Sequence, residues 1–299
     1  MMSFIEYYQQ WFTAPGELAA VLQALQQSRQ PILRFTTQHQ AALEQLWHSH
    51  QLPFQILPWY AQAALWPNTV PAEIILPGYD EHLFYAMNAA SLLPVLALQP
   101  QPGETVFDAC AAPGGKALMI AEQLNHTGAF IANDSSPARR QRLRQVLNDY
   151  GFSDTTVSGK KAEIIYQRQP NYFDKILLDA PCSSERHVYN SPNHLQLWSP
   201  NRVRSLQQRQ LALLGGLLLA LKPGGRLVYS TCALTPEENE LVVQKFLDKR
   251  GAMITLRSFA DCVSLPVPGE PSQLLPATWR IFPHRHQLDP MFIAVFEKK

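Results

Sequence analysis

Cysteine is scarce in this 299-residue sequence, net charge is only +1, and no long apolar run occurs. Each scarcity removes a class of function. The four cysteines, Cys110, Cys182, Cys232 and Cys262, have no C-x-x-C spacing, which argues against a zinc site. Reduced thiols suit a cytosolic protein, where they serve packing or chemistry. No apolar stretch approaches the ~18 residues of a membrane span, so no membrane partner is expected. The opening residues MMSFIEYYQQWF show neither a basic leader region nor an Arg-rich transit pattern, so the expected location is the cytoplasm. Two familiar nucleotide-binding glycine signatures, G-x-G-x-x-G and G-x-x-x-x-G-K-[ST], are also missing.

With 46% hydrophobic residues, the chain can build a sizeable core. Its organising stretch is Thr105 to Lys116, TVFDACAAPGGK. A short apolar run ends at Asp108, small residues and the pair Gly114–Gly115 follow, and ALMIAEQL then has near-helical apolar spacing. This predicts strand, glycine turn and helix, with the unpaired N–H groups of the helix start offered to a polar ligand. Downstream, strands are expected at 129–134, 155–158, 174–180 and 226–232, with helices at 137–150, 201–222 and 235–250 and a turn at Pro223-Gly224-Gly225. Residues 84–98 are expected to form a helix leading into the core, and 291–297 an edge strand. The order predicts an α/β fold with a mostly parallel, doubly wound sheet whose ligands sit beyond the carboxyl ends of the strands.

Residues 1–78 are expected to be a separate, small and mainly helical region, with helices at 17–27 and 38–47, a strand near Pro31–Phe35, and a Pro- and Trp-rich connector from Pro53 to Pro77. Residues 79–299 then form the main domain. Charge is unevenly distributed along the chain. The first hundred residues hold two basic residues, Arg29 and Arg34, against six acidic ones, while the other 23 Lys/Arg face 18 Asp/Glu. The basic residues gather at Arg139–Arg144, Lys160–Lys161, Arg202–Arg209 and Arg280–His286. Gathered around one cleft they would form a phosphate-binding surface; scattered, they are solvated faces.

DACAAPGGK closely resembles the S-adenosylmethionine (SAM) loop of the Nop2/Sun (NSUN, RsmB-like) family of RNA cytosine-5 methyltransferases. The likeness extends to YAMNAASLLPVLAL (85–98), DAPCSSERH (179–187) and YSTCALTPEENE (229–240), and covers roughly residues 79 to 296. The Arg–His after the first cysteine motif is similar to the mitochondrial-type NSUN subgroup. The resemblance implies a Rossmann-like class I methyltransferase that binds SAM through Asp108, Ala109, Cys110, Ala111, Ala112, Pro113, Gly114, Gly115 and Lys116, with Asp134, Arg139 and Asp179. Asp134 ends the second expected strand, where an acid can accept two hydrogen bonds from ribose hydroxyls or cap the next helix. Relatives usually carry an Asp after the third strand, near adenine. Here that turn reads Val157-Ser158-Gly159-Lys160-Lys161, and backbone groups near Ser158 are expected to substitute.

Cytosine C5 is a poor nucleophile until a thiolate adds to C6, and a base must later remove the C5 proton so that the thiolate can leave. Cys182 and Cys232 close adjacent expected strands and should face one pocket, so either suits the attack. DNA cytosine-5 methyltransferases use the Pro-Cys. The RNA family uses the Thr-Cys, which implies Cys232 as nucleophile and Cys182 in product release. By the same resemblance, Asp179 anchors the base edge or assists elimination, and Lys116 positions the pyrimidine. Cys110 and Cys262 are expected to pack. Arg186 and His187 would contact RNA phosphate, lower a thiol pKa, or simply face solvent. The expected substrate is an unstacked cytosine in RNA, rRNA first and tRNA second. The low net charge leaves room for an unidentified protein partner, and a non-catalytic RNA or ribosome assembly factor is the alternative reading.

Overall fold

The structure, a computed structural model, describes residues 2–299. The N-terminal region begins with α1 (Phe4–Gln9) and α2 (Glu17–Gln26), then β1 (Ile32–Arg34), α3 (Thr37–Ser49), β2 (Ile56–Leu57) and β3 (Tyr60–Leu65). A reciprocal capping box starts α1: the Ser3 hydroxyl accepts from Glu6 N–H, and the Glu6 carboxylate accepts from Ser3 N–H. The Pro-rich connector is more ordered than expected, because β2 and β3 lie within it. With β4 (Tyr85–Met87) they complete an antiparallel sheet in the order β2-β3-β1-β4. Trp47 of α3 is fully buried against this sheet, with Leu33, Phe35, Ala64 and Phe84 around it.

The expected helix at 84–98 is corrected by β4. Only the 3₁₀ turn Ala89–Leu92 and α4 (Leu93–Leu98) are helical, because Tyr85–Met87 pairs with Ile32–Arg34. The backbone of this segment finds its hydrogen bonds in a neighbouring strand, a partner that helical periodicity cannot register.

The chain continues with β5 (Thr105–Asp108), α5 (Gly115–Leu124), β6 (Ala129–Asn133), α6 (Pro137–Asp149), β7 (Thr156–Ser158) and β8 (Phe173–Asp179). After it come α7 (Glu185–Tyr189), α8 (Pro192–Gln196), α9 (Pro200–Ala220), β9 (Leu221–Thr231), α10 (Glu240–Arg250), β10 (Ile254–Arg257) and α11 (Phe259–Cys262). The chain closes with β11 (Glu270–Pro271), β12 (Trp279–Ile281), α12 (Pro283–His286) and β13 (Met291–Lys298). These strands form a nine-stranded sheet in the order β11-β12-β13-β9-β8-β5-β6-β7, with β10 also on β13. The run β9-β8-β5-β6-β7 is parallel.

Alternation along the strands builds a core on each face of the sheet. Val106, Leu177 and Val228 point to the side covered by α4, α5 and α11. Their neighbours Phe107, Ile176, Leu178, Leu227 and Tyr229 point to the side covered by α9 and α10. Each such buried side chain contributes roughly 1.5–3 kcal/mol.

Two expectations about this half are corrected. Residues 291–297 are not an edge strand: β13 lies between β9 and β12 and is buried along nearly its whole length. β9, β12 and β10 supply its neighbours, and its own residue pattern does not record how many strands pair with it. The Pro223-Gly224-Gly225 turn is absorbed into β9 as an irregularity, where Phe173–Lys175 of β8 spans Leu221–Arg226.

Strand order reverses between β5 and β8, so the crevice beyond their carboxyl ends is the topological switch point. Asp108 and Asp179 end those two strands.

Candidate active site

A cleft of about 750 Å³ opens at the switch point. A smaller lobe of about 210 Å³ adjoins it, lined by Asp108, Pro113, Gly115 and Tyr85. Lys116, Asp179, Cys110 and Asn88 border both.

The glycine turn is shaped by contact. Gly114 has φ +129, which side chains rarely adopt, and a Cβ there would meet Val146 of α6 at 3.0 Å. A Cβ on Gly115 would lie 2.9 Å from the Tyr85 ring, so β4 closes against the start of α5. Around this turn, Asn133 donates from its side chain to Ala109 O (3.1 Å) and accepts from Lys160 N–H (2.9 Å). Ala111 N–H donates to Asn133 O at 2.7 Å.

Asp134 is buried, accepts from Ser136 N–H at 2.9 Å, and faces the Arg139 guanidinium at 3.3 Å. Arg139 also donates to Ala112 O. The cap of α6 comes instead from Ser136, whose hydroxyl accepts from Arg139 N–H at 3.4 Å. Asp108 is 1% exposed, and its Oδ2 has no hydrogen-bond partner among the described residues. Burial, reinforced by the nearby Asp179 carboxylate, pushes its pKa to about 8.

Lys116 and Asp179 form an ion pair at 2.8 Å, and Ser230 Oγ donates to the other Asp179 oxygen at 2.7 Å. Burial opposes the Lys116 charge, but the Asp179 carboxylate more than offsets it and raises the ammonium pKa.

The two expected cysteines meet at this point. Cys182 Sγ lies 3.1 Å from Cys232 Sγ, and Ser184 Oγ lies 3.2 Å from Cys232 Sγ and 3.6 Å from Cys182 Sγ. Both thiols are free, since a disulfide would need about 2.05 Å. The hydrogen bond with Cys232, together with burial, pushes the Cys182 thiol well up. Cys110 borders the cleft, but its thiol is raised strongly by burial and then by the Asp108 carboxyl. Cys262 lies in the core beside α4.

Every site residue expected from sequence therefore sits at this cleft or in the turn that walls it. Arg186 differs: it pairs with Asp289 and donates to Gln27 O, so it ties two parts of the chain together. His187 is exposed beside His194. Of the four basic clusters, two are largely occupied internally. Arg280 is buried on Glu240, Arg285 pairs with Glu17 and Glu270, and Arg139 and Arg140 bind backbone carbonyls. Lys160, Lys161, Arg202 and Arg209 are exposed on the cleft wall, with no ion-pair partner among the described residues.

Sequence reasoning gave no role to Asn88, Ser184, Ser230 or Asp289. Asn88 caps the 3₁₀ turn by accepting from Ala90 N–H (2.8 Å) and donates to Asp289. Ser184 and Ser230 stand inside the quoted motifs, which was signal enough to find them. Asp289 stands in no motif.

Comparison with known proteins agrees with this geometry. A family model described as 16S rRNA methyltransferase RsmB/F matches residues 95–297. The ribosomal RNA small subunit methyltransferase F of Aeromonas salmonicida (strain A449) is 38% identical over 215 residues, covering 70% of this chain and 45% of that protein. Its namesake from Escherichia coli (strain SE11) is 41% identical over 191 residues, covering 62% and 40%. The chain thus spans less than half the length of these curated relatives. A methyltransferase homolog protein from Pyrococcus horikoshii superposes with a TM-score of 0.80 at 28% identity, covering 98% of this chain and 93% of that one. NSun6 from the same organism, solved with SFG, gives 0.83 at 19% identity with 100% and 98% covered, a likeness of fold. With the family model spanning more than half of its residues, the chain belongs to the RsmB/F methyltransferase family.

Proposed function

We propose that the chain transfers a methyl group from SAM to C5 of a cytosine in RNA, with ribosomal RNA as the leading substrate and tRNA second. The observation that carries this reading is the paired thiols, 3.1 Å apart, opening into the same cleft as the Lys116–Asp179 pair and the glycine turn.

The cleft suits SAM. Residues 108–116 and Asp134 would hold it, and the unpartnered Asp108 oxygen and the glycine turn are features that a polar ligand would complete. When bound, SAM supplies an electrophilic methyl group. Cys232 is the attacking thiol: after losing its proton it would bond to C6, and C5 would then take the methyl group as its bond to the sulfonium sulfur breaks and the demethylated thioether leaves. The C5 proton passes to a base, the C6–sulfur bond breaks, and the aromatic ring is restored. Cys182, with its raised pKa, remains a thiol and lies with Ser184 within hydrogen-bond reach of the Cys232 sulfur. Asp179 is fixed by Lys116 and Ser230 and would anchor the pyrimidine edge or assist elimination. Lys160, Lys161, Arg202 and Arg209 would receive the RNA backbone.

The test uses labelled SAM and small-subunit rRNA. Cys182→Ala should accumulate a covalent protein–RNA adduct, and Cys232→Ala should form none. The reverse pattern would exchange the two roles. Absence of methyl transfer by the wild-type chain, alone and with its RNA intact, would favour the assembly-factor reading.

A further inference from the structure

The loop that carries Cys182 is not held by its own strand alone. Ser183, the next residue, is fully engaged below the site. Its N–H donates to Glu238 Oε1 at 3.0 Å, and its hydroxyl donates to Glu185 Oε1 at 2.8 Å. Glu185 is wholly buried and accepts a second hydrogen bond, at 2.7 Å, from the hydroxyl of Tyr8. Tyr8 lies 177 positions away, on α1. Neither glutamate has a cationic partner among the described residues, and burial raises the pKa of both carboxyls.

Two further observations connect α1 and α2 to the site loops. The Tyr7 hydroxyl donates to Glu237 at 2.8 Å, in the segment after Cys232, and Asn190 donates to Leu25 O at 2.8 Å at the end of α7. The rings of Phe4, Tyr7 and Tyr8 pack on Trp198, ahead of α9. The held loop is also strained. Ser184 has φ +53, in the left-handed region that favours glycine, yet its hydroxyl meets both sulfurs. Such a conformation persists where the surroundings over-determine it.

We propose that Tyr8, acting through Glu185 and Ser183, is a positioning residue that holds the Cys182 thiol against Cys232. The N-terminal helix is then part of the active-site architecture rather than packing alone. The effect on turnover rests on the cysteine roles given under Proposed function; the effect on thiol geometry does not.

Tyr8→Phe removes one hydroxyl and leaves the ring in its cluster. Diamide joins paired thiols: a disulfide forms, the two thiols give up two hydrogens, and the diazene becomes a hydrazine. Peptide mass spectrometry would follow the Cys182–Cys232 link. Tyr8→Phe should slow its formation about tenfold, the worth of one buried hydrogen bond to a carboxyl group. Ser183→Ala, which cuts the same chain of bonds nearer the site, should slow it likewise, and Glu185→Gln, which keeps an acceptor for both hydroxyls, should retain most of the wild-type rate. Linking in Tyr8→Phe and Ser183→Ala within about twofold of wild type, less than one such hydrogen bond, would overturn the proposal.

Single-turnover assays supply the second readout. Tyr8→Phe should slow adduct decay about tenfold while adduct formation stays within about twofold, a split that general loosening of the fold would not produce. Equal slowing of both steps would overturn the positioning role. If Cys182→Ala accumulates no adduct, the cysteine assignment fails, and the thiol-linking rates still decide the positioning of Cys182.

Discussion

Replacing Asp108 by Asn should change how stability depends on pH, by an amount that follows from the carboxyl's surroundings. Asp108 is 1% exposed at the end of β5, and burial is the largest cause of its raised pKa. Asp179 and Asp134 add to that rise, while the Cys110 N–H and Lys116 oppose it, and the group moves from an ordinary 3.8 to about 8. Between those values the folded chain holds a proton that the unfolded chain has released, so stability falls as pH rises. Each pH unit in that window is worth about 1.4 kcal/mol, so from pH 5 to pH 8 the wild-type chain loses about 4 kcal/mol through this group. Asn at this position cannot ionise and keeps an oxygen for the Cys110 N–H. The stability difference between the two ligand-free proteins should therefore widen in favour of the variant by about 4 kcal/mol from pH 5 to pH 8. Over the same range the gap in melting temperature should grow by about 8 °C, at roughly 2 °C per kcal/mol for a chain of this length. Glu185 and Glu238 titrate in both proteins and cancel in the comparison. Thermal or urea unfolding at pH 5, 6.5 and 8 measures the gap. A gap that stays constant with pH, or opens in favour of the wild type, would refute the reasoning.

Two other outcomes follow from the charges. Arg280→Ala leaves Glu240 buried without its bidentate partner and should destabilise the chain by about 3–5 kcal/mol in urea unfolding, while the Arg280→Ala/Glu240→Ala double variant should lose less than the two single effects combined. Lys160→Ala with Lys161→Ala should weaken RNA binding across sequences and flatten its salt dependence by about 0.7 for each phosphate no longer neutralised. Arg285→Ala, already paired with Glu17 and Glu270, should leave that slope unchanged.

The α/β order and the main strands were legible because each element advertises itself locally. Val106 and Phe107, or Leu177 and Leu178, alternate between two apolar environments, and the glycine pair punctuates strand and helix. The misreadings arose where long-range pairing decides. Tyr85–Met87 is a strand because β1 lies beside it, and β13 is interior because β10 and β12 cover its far side. The motifs likewise located Cys182, Cys232, Lys116 and Asp179 at one cleft, since each motif follows the end of a neighbouring strand. Arg186 was open to several readings until Asp289, 103 positions away, was seen to hold it.

The sequence by itself determined the candidate residues and the strand and helix ends near which they stand, because strand periodicity and motif spacing are short-range properties. Only the tertiary structure decided how those residues meet. The 3.1 Å approach of the two thiols, the selection of Lys160, Lys161, Arg202 and Arg209 as the open basic wall, and the reach of Tyr8 to Glu185 all depend on packing between remote segments. Such contacts are fixed by burial and by the hydrogen bonds that buried polar groups require, and no local pattern encodes their partners.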